Sequence, residues 1–329
     1  MAHLVTMSPN SLVDNLFTST SRTITQTYLH ANLLLVVLDL LLVEVRALFG
    51  HGQKASSQFE FIKTLQGYKK GEKVEGIKDL KKYLEQFGYL NPNPSHDDKF
   101  DDILESAVKT YQLNFNLNTT GTLDPQTISA MMMPRCGVPD IINGTTRMRS
   151  GYIFNQNNSG HGSFRVQYAF FKRHNRWPKW KEVLRYEFGE GTREDVKDPF
   201  WRAASTWQPY TPFTFEHVNV LYKADIRVSF KRGAHGDGKP FDGPRGILAH
   251  AFAPTDGRLH FDADENWVVG AVPHGLDMQT VALHELGHIL GLQHSSVKDA
   301  IMWPHLPSGK TKGLNDDDIQ GIKALYTGY

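Results

Sequence analysis

One cysteine, Cys136, is all that this 329-residue chain contains. A lone thiol cannot close an internal disulfide, so no covalent staple holds the fold. Three roles remain open to it: buried hydrophobe, nucleophile or metal ligand. An excess of charge of one sign is also missing. The formal net charge is +1, so neither nucleic acid nor an acidic surface is expected as a partner. Long apolar runs are scarce. The run Leu33 to Val43 is interrupted by Asp39 and is too short to span a bilayer. The terminal "ALYTGY" has no apolar tail, so neither a glycolipid anchor nor a terminal membrane helix is expected. No clear tetrabasic processing site is present; Arg173-His174-Asn175-Arg176 is only a minimal match.

What is there points outward. Val45-Arg46-Ala47, just after the apolar run, fits the small-residue cleavage pattern of a secretory signal. Residues 1–47 are therefore expected to be a leader, and the protein to be secreted; a buried helix over the apolar run is the competing reading. Three sequons agree with that destination, at Asn118, Asn143 and Asn157. Apolar content of 40% and charged content of 22% fit a soluble globular protein, and the length suits two domains.

The composition changes along the chain. Phe59 to Met133 reads as a compact three-helix unit. "GIKDLKKYLEQFGYL" puts Ile77, Leu80, Leu84 and Phe87 on one face, with Gly88 as a C-cap. "FDDILESAVKTYQLNF" does the same with Ile103, Leu104, Ala107, Val108 and Tyr111. Asp124 and Pro125 start the third helix as N-cap and first helical residue. Ile141 to Gly162 is rich in Asn, Gly and Ser and reads as an exposed linker. Beyond it "VLRYEF", "FTFEHV", "ADIRVSF" and "ILAHAFA" read as strands. "DPFWRAASTWQPY", "DMQTVALHELGHILG" and "DDDIQGIKALY" read as helices. The expectation is an α/β layer over residues of about 165 to 329.

The strongest chemical signal is "HELGHILGLQH". His284 and His288, four apart on a helix, project from one face. Asp277 is a plausible N-cap, and Gly291 can take a positive φ and turn the chain out. His294 then returns to the same point. Three neutral imidazoles suit Zn²⁺ and leave one tetrahedral position open for chemistry. Glu285, beside the first ligand, reaches that position as a general base for an attacking water and then protonates the leaving amine.

A second dense stretch runs from His235 to Trp267. By spacing alone, His235, Asp237, His250 and His260 suit a closed structural zinc, and Asp242, Asp262 and Glu265 offer the oxygen set that calcium prefers. Polar loops with incidental histidines remain the competing reading at this point.

The chain resembles the matrix metalloproteinases, matrixins of the metzincin clan. The resemblance rests on the extended zinc motif with Ser295 after it, on Met302 in "AIMWP" and on "PRCGVPD" from Pro134 to Asp140. It runs from about Leu65 to Tyr329. No propeller-like domain follows, as in the short, plant-type members. The resemblance implies a metzincin catalytic domain over 168–329, a twisted and mainly parallel sheet with an antiparallel edge strand. It implies a peptidoglycan-binding-like propeptide over 48–140 and an activation linker over 141–167. It implies that Met302 forms the methionine turn under the zinc. It assigns the structural zinc to His235, Asp237, His250 and His260. Calcium goes to Asp242, Gly243, Arg245, Ile247, Asp262 and Glu265, with Arg245 standing where the family usually has glycine. A further calcium site using Asp225 is put in doubt by a short "APTDGRLHFD" loop.

The resemblance also gives Cys136 its role, a thiolate that fills the fourth zinc position until the propeptide is cut away. Activation is expected between Asn143 and about Arg176, with a mature start near Tyr168 to Phe171. "GILAHAF" is implied to pair with extended peptide substrates. "WPHLPSG", with Leu306, Thr280 and Val281, is implied to wall a pocket that takes a hydrophobic residue after the cut. The protein is expected to act as a monomer, with its own propeptide as inhibitor. Two other readings compete with a zymogen endopeptidase: a non-catalytic wall-binding protein and a zinc amidase or carboxypeptidase acting on peptidoglycan.

Overall fold

The computed structural model describes residues 57–93, 96–148, 151–154, 163–166, 168–171 and 175–326. The leader expected over 1–47, the sequon at Asn157, and Arg173 and His174 lie outside these residues.

The first described part is helical. A 3-10 helix, Gln58–Leu65, precedes the three expected helices: α1 (Ile77–Gln86), α2 (Asp102–Asn114) and α3 (Pro125–Met131). Asp101 and Asp124 cap the second and third, each accepting a backbone N–H three residues on, at 2.8 and 2.9 Å. Each such cap contributes about 1 kcal/mol. Ile62, Leu80, Leu84, Phe87, Leu104 and Tyr111 meet in one core. Ile103 was expected there but is 70% exposed. The packed stripe of α2 is centred on Leu104, Ala107, Val108 and Tyr111, which leaves Ile103 beyond its edge.

Strand β1 (Arg135–Cys136) follows. The stretch expected as a linker carries two antiparallel ladders, β2 (Ile141–Ile142) with β3 (Thr145–Thr146) and β4 (Gly151–Phe154) with β5 (Ser163–Val166). The first closes through Asn143 and Gly144, at φ 51° and 71°. That left-handed Asn-Gly pair suits a tight hairpin.

The rest of the chain builds β6 (Val183–Phe188), α4 (Lys197–Trp207), β7 (Thr214–His217), β8 (Ile226–Lys231), β9 (Ile247–Ala251) and β10 (Arg258–Asp262). A small pair, β11 (Trp267–Val268) and β12 (Leu276–Asp277), leads into α5 (Met278–Leu290), and α6 (Asp316–Tyr326) comes last. The main sheet has six strands in the order β1-β9-β10-β8-β6-β7. Neighbours from β10 to β7 are parallel, and β9 runs antiparallel to β10. With β1 left out, this is the mainly parallel sheet with an antiparallel edge strand, β9, that the resemblance implied. β10 was not expected as a strand, because its sequence lies inside the His- and Asp-rich stretch. Leu259 and Phe261 join the core while His260, between them, faces the other side.

Helix α5 is buried along almost its whole length, packed on α4 and the sheet. Trp207 donates its indole N–H to the Leu283 carbonyl at 2.9 Å, fixing one helix against the other. The core of the N-terminal unit continues into this part through Phe241, Ile247 and Trp303. No helix among the described residues is long and apolar enough to cross a membrane.

Candidate active site and metal centres

Asp277 caps α5 by accepting from the Thr280 N–H at 2.9 Å. The helix ends at Gly291, whose φ of 109° belongs to the left-handed region that favours glycine. The chain then doubles back and brings His294 beside His284 and His288. All three rings are fully buried. Burial and the neighbouring imidazoles push His284 and His288 well below the usual histidine range. Burial lowers His294 too, against the opposing pull of Asp140.

Each ring is held by Nδ1. His284 meets the Ile301 carbonyl at 2.6 Å, His288 the Leu292 carbonyl at 2.8 Å and His294 the Asp140 carboxylate at 2.8 Å. Those partners only accept, so Nδ1 carries the proton and Nε2 keeps its lone pair. The Nε2 atoms of His284 and His294 have no hydrogen-bond partner, and that of His288 lies 3.5 Å from Cys136 Sγ. One donor atom from each of Cys136, His284, His288 and His294 lies within 4.8 Å of the others. Buried lone pairs left without a proton donor and converging on one point are what a soft divalent cation requires, so the donor set fits zinc.

Glu285 is also fully buried, and neither of its carboxylate oxygens has a hydrogen-bond partner in good geometry. Burial pushes its carboxyl up to about 8, while the Cys136 thiol and the Lys239 ammonium pull it down. Burial, and then the Glu285 carboxylate, push the thiol itself well above its ordinary value. Below the helix, a Cβ at Gly287 would collide with the Met302 thioether, so the methionine lies directly against the helix backbone between the two ligands.

The 134–140 segment lies in a slot with hydrogen bonds on both sides. Arg135 N–H donates to the Gly246 carbonyl at 3.0 Å and Gly137 N–H to the Ala249 carbonyl at 2.8 Å. On the opposite side Cys136 N–H donates to the Pro304 carbonyl at 2.9 Å, and Leu306 N–H to the Pro134 carbonyl at 3.0 Å. Strand β1 thus runs parallel to the edge strand β9. Arg135 donates to Asp140 at 2.7 Å and stacks 3.5 Å over the Phe87 ring. A cavity of about 360 Å³ opens beside this slot, lined by Thr280, Val281, Leu306, Lys312 and, from the N-terminal unit, Met133.

The second group of expected ligands also converges. Asp237 Oδ2 lies 3.0 Å from His235 Nε2, 2.7 Å from His250 Nε2 and 2.9 Å from His260 Nδ1. The antiparallel pairing of β9 with β10 sets His250 directly opposite His260, which is why two strands supply one site. Burial pushes His250 down to about 3. Burial would raise Asp237, but the Lys239 N–H and His250 hold it well below the carboxylate range. Three ring nitrogens around one carboxylate oxygen fit a closed zinc site.

Asp242, Asp262 and Glu265 are pushed up to about 6, 6 and 8, chiefly by burial, and both aspartates act on Glu265. Asp242 Oδ2 and Asp262 Oδ2 are buried without partners. Their donor atoms do not form a cluster as tight as the two zinc-type groups, which are the two of that kind among the described residues. Arg245 stands at φ 67°, and its carbonyl accepts from Ser57 Oγ at 2.7 Å. Asp225 is engaged with Lys181 and the Arg185 N–H. Asn118 and Asn143 are exposed.

Comparison with known proteins decides the family. Residues 176–327 match the matrixin family, and residues 73–131 match a peptidoglycan binding domain family. The chain is 42% identical to metalloendoproteinase 5-MMP of Arabidopsis thaliana over 282 residues, 82% of this chain and 76% of that protein. It is 44% identical to metalloendoproteinase 1 of Glycine max over 268 residues, 79% and 84% of the two chains. This chain is a matrixin. Matrix metalloproteinase-20 of Homo sapiens is more distant, at 38% over 229 residues, 67% of this chain and 41% of that one. The matrixin is a zinc metalloendopeptidase.

Three features of the matrixin's site escaped the sequence reading. Asp140 touches His294. Asp318, fully buried on α6, accepts from the N–H groups of Ile301 and Met302 at 2.7 and 3.1 Å, fixing the loop whose carbonyl orients His284. Lys239 acts electrostatically on both Glu285 and Cys136. The run of aspartates at the start of α6 was visible as a helix start, but nothing in it marked a contact made across the fold.

Proposed function

We propose that this matrixin is made as a secreted, latent zymogen that hydrolyses peptide bonds in extended protein chains. In this reading residues 1–47 are a leader, 48–140 a propeptide, 141–167 an activation linker and 168–329 the catalytic domain. The observation that carries it is the Cys136 thiol, buried in one cluster with three histidine nitrogens and flanked by backbone hydrogen bonds on both sides.

His284, His288 and His294 would hold the catalytic zinc, with Cys136 as the fourth ligand before activation. Zinc bound there would lower the pKa of water and polarise a scissile carbonyl. The protein's residues do the rest. The thiol and its strand exclude water and substrate from the cluster. After their removal the freed edge of β9 and the Pro304–Leu306 wall would hold an extended peptide by its backbone. Glu285, already buried beside the cluster, would take a proton from the attacking water and hand it to the departing amine. Its burial raises its affinity for that proton, which suits a group that must hold it briefly near neutral pH.

His235, Asp237, His250 and His260 would bind a structural zinc. The carboxylates of Asp242, Asp262 and Glu265, with the backbone around Gly243, Arg245 and Ile247, would bind calcium. Met302 would floor the active site. The cavity beside the slot would receive a hydrophobic residue after the cut, with Leu306, Thr280 and Val281 as its walls. Asn118, Asn143 and Asn157 are candidate glycosylation sites, and the protein acts as a monomer.

The test is incubation of the full-length protein with casein, with and without a zinc chelator, followed by N-terminal sequencing. Chelator-sensitive cleavage that begins only when the N-terminus has moved past Asn143 is expected. Full activity from an unprocessed chain, or processing without casein cleavage, would overturn the zymogen reading.

A further inference from the structure

The three histidines of the cluster are not held alike. His284 and His288 lean on carbonyls of Ile301 and Leu292, which lie in the same part of the chain as the rings themselves. His294 leans on Asp140, 154 residues away and on the propeptide. Both side chains have no exposure. The carboxylate is aimed as well as close. Its Oδ1 also accepts from Arg135 at 2.7 Å, its Oδ2 accepts from the Tyr89 hydroxyl at 2.9 Å, and its own N–H donates to the Phe87 carbonyl at 3.1 Å. With three anchors it has no freedom to swing away from the ring.

We infer that Asp140 is a positioning residue for the metal: the propeptide lends His294 the carboxylate that fixes its ring and its tautomer. A carboxylate accepts only, so the pair leaves Nε2 as the free lone pair, facing the cluster. A carboxylate behind a ligating imidazole also raises its basicity and holds its orientation, and loss of such a partner weakens metal affinity by about tenfold to a hundredfold. The precursor therefore grips its zinc through two devices, the Cys136 ligand and the Asp140 carboxylate, and activation removes both. The inference rests on the zinc reading of this cluster.

The experiment uses the full-length zinc-loaded precursor and reads metal, not catalysis. Zinc release into a chromophoric chelator is timed for the wild type and for Asp140→Asn, Val138→Ala and Gly137→Ala. Alkylation of Cys136 is timed in parallel as a measure of how often the segment lifts. Gly137→Ala and Val138→Ala, the latter trimming a buried side chain of the same segment, loosen it without removing a hydrogen bond of Asp140 or His294, so they define how zinc release rises when the segment merely loosens. Asp140→Asn is expected to release zinc about tenfold or more faster than that relation gives. The ring N–H signal of His294 in nitrogen-resolved NMR is expected to shift in Asp140→Asn and to stay in Val138→Ala. If Asp140→Asn falls on the relation set by the other two, or leaves the ring signal unmoved, the inference is wrong. Failure of the zinc reading looks different: the wild-type precursor would hold no stoichiometric zinc that His284→Ala removes.

Discussion

A β-carbon on Gly137 would sit 2.7 Å from Cγ2 of Ile247. The backbone of the segment after Cys136 is therefore pressed onto β9 more closely than any side chain allows. Gly137→Ala is expected to push the segment off the strand and break its hydrogen bond to the Ala249 carbonyl. The precursor should then mature faster, and Cys136 should react faster with a thiol reagent. An alanine variant whose thiol stays as protected as the wild type would contradict this.

Arg135 and Asp140 form an ion pair in which neither side chain is exposed. Burial alone would raise the Asp140 carboxyl, yet Arg135 and His294 hold it well below the carboxylate range. Removing one member of a buried pair costs about 3–5 kcal/mol, because the other charge is left without compensation. Arg135→Ala is expected to weaken propeptide docking by that order, read as loss of latency in a casein assay on freshly purified precursor. Unchanged latency would mean that the pair is incidental.

Cys136→Ser should give a precursor that cleaves casein before any change at its N-terminus. Hydroxyl is a far poorer zinc ligand than thiolate. The backbone hydrogen bonds of the segment remain, so activity should fall short of that of the mature enzyme. A serine variant as latent as the wild type would show that the strand, not the sulfur, is the lock.

Burial lowers Lys312, on the cavity wall, to about 8, with Asp318 and Asp299 opposing. A lysine with a depressed value is charged below it and neutral above it. Leucine should be preferred after the cut throughout, with the penalty on an acidic side chain smaller below pH 8 than above it. The measurement is the ratio of kcat/KM for two peptides differing only at that residue, followed through this range. The ratio should favour leucine increasingly as pH rises, and Lys312→Met should flatten it.

Asp262 and Glu265 are buried and Asp242 is half-buried, and their carboxylates repel one another. Millimolar calcium is expected to raise Tm, because a ligand that binds only the folded state stabilises it by mass action. Asp262→Asn should blunt that rise. Equal calcium shifts in both proteins would move the site elsewhere.

Much of this site was legible because its geometry is local. His284 and His288 share a helix face by period alone, and Asp277 and Gly291 mark where the helix starts and turns. The strand β10 was missed because His260 and Asp262 drew attention as ligands, although Leu259 and Phe261 alternate as strand residues do. The hairpin at Asn143-Gly144 was hidden by the polar composition around it, while the dipeptide itself was a usable signal. The contacts of Asp140 with His294 and of Asp318 with the loop at Met302 were not legible. The first joins residues 154 apart and the second a helix to a loop 16 residues before it, and a carboxylate in a polar stretch looks the same whether it ends in solvent or in a core.

The double row of hydrogen bonds around β1 has a consequence for whatever takes its place. A chain entering that slot must present donors and acceptors along both of its edges. A segment inside a helix or sheet has already committed them, so it must first come free. For a folded substrate the opening equilibrium of its own segment then enters the observed rate. Two proteins with identical residues around the cut would be processed at rates about tenfold apart for each 1.4 kcal/mol between their local stabilities. In such a case the pace of turnover is set by the substrate's own breathing.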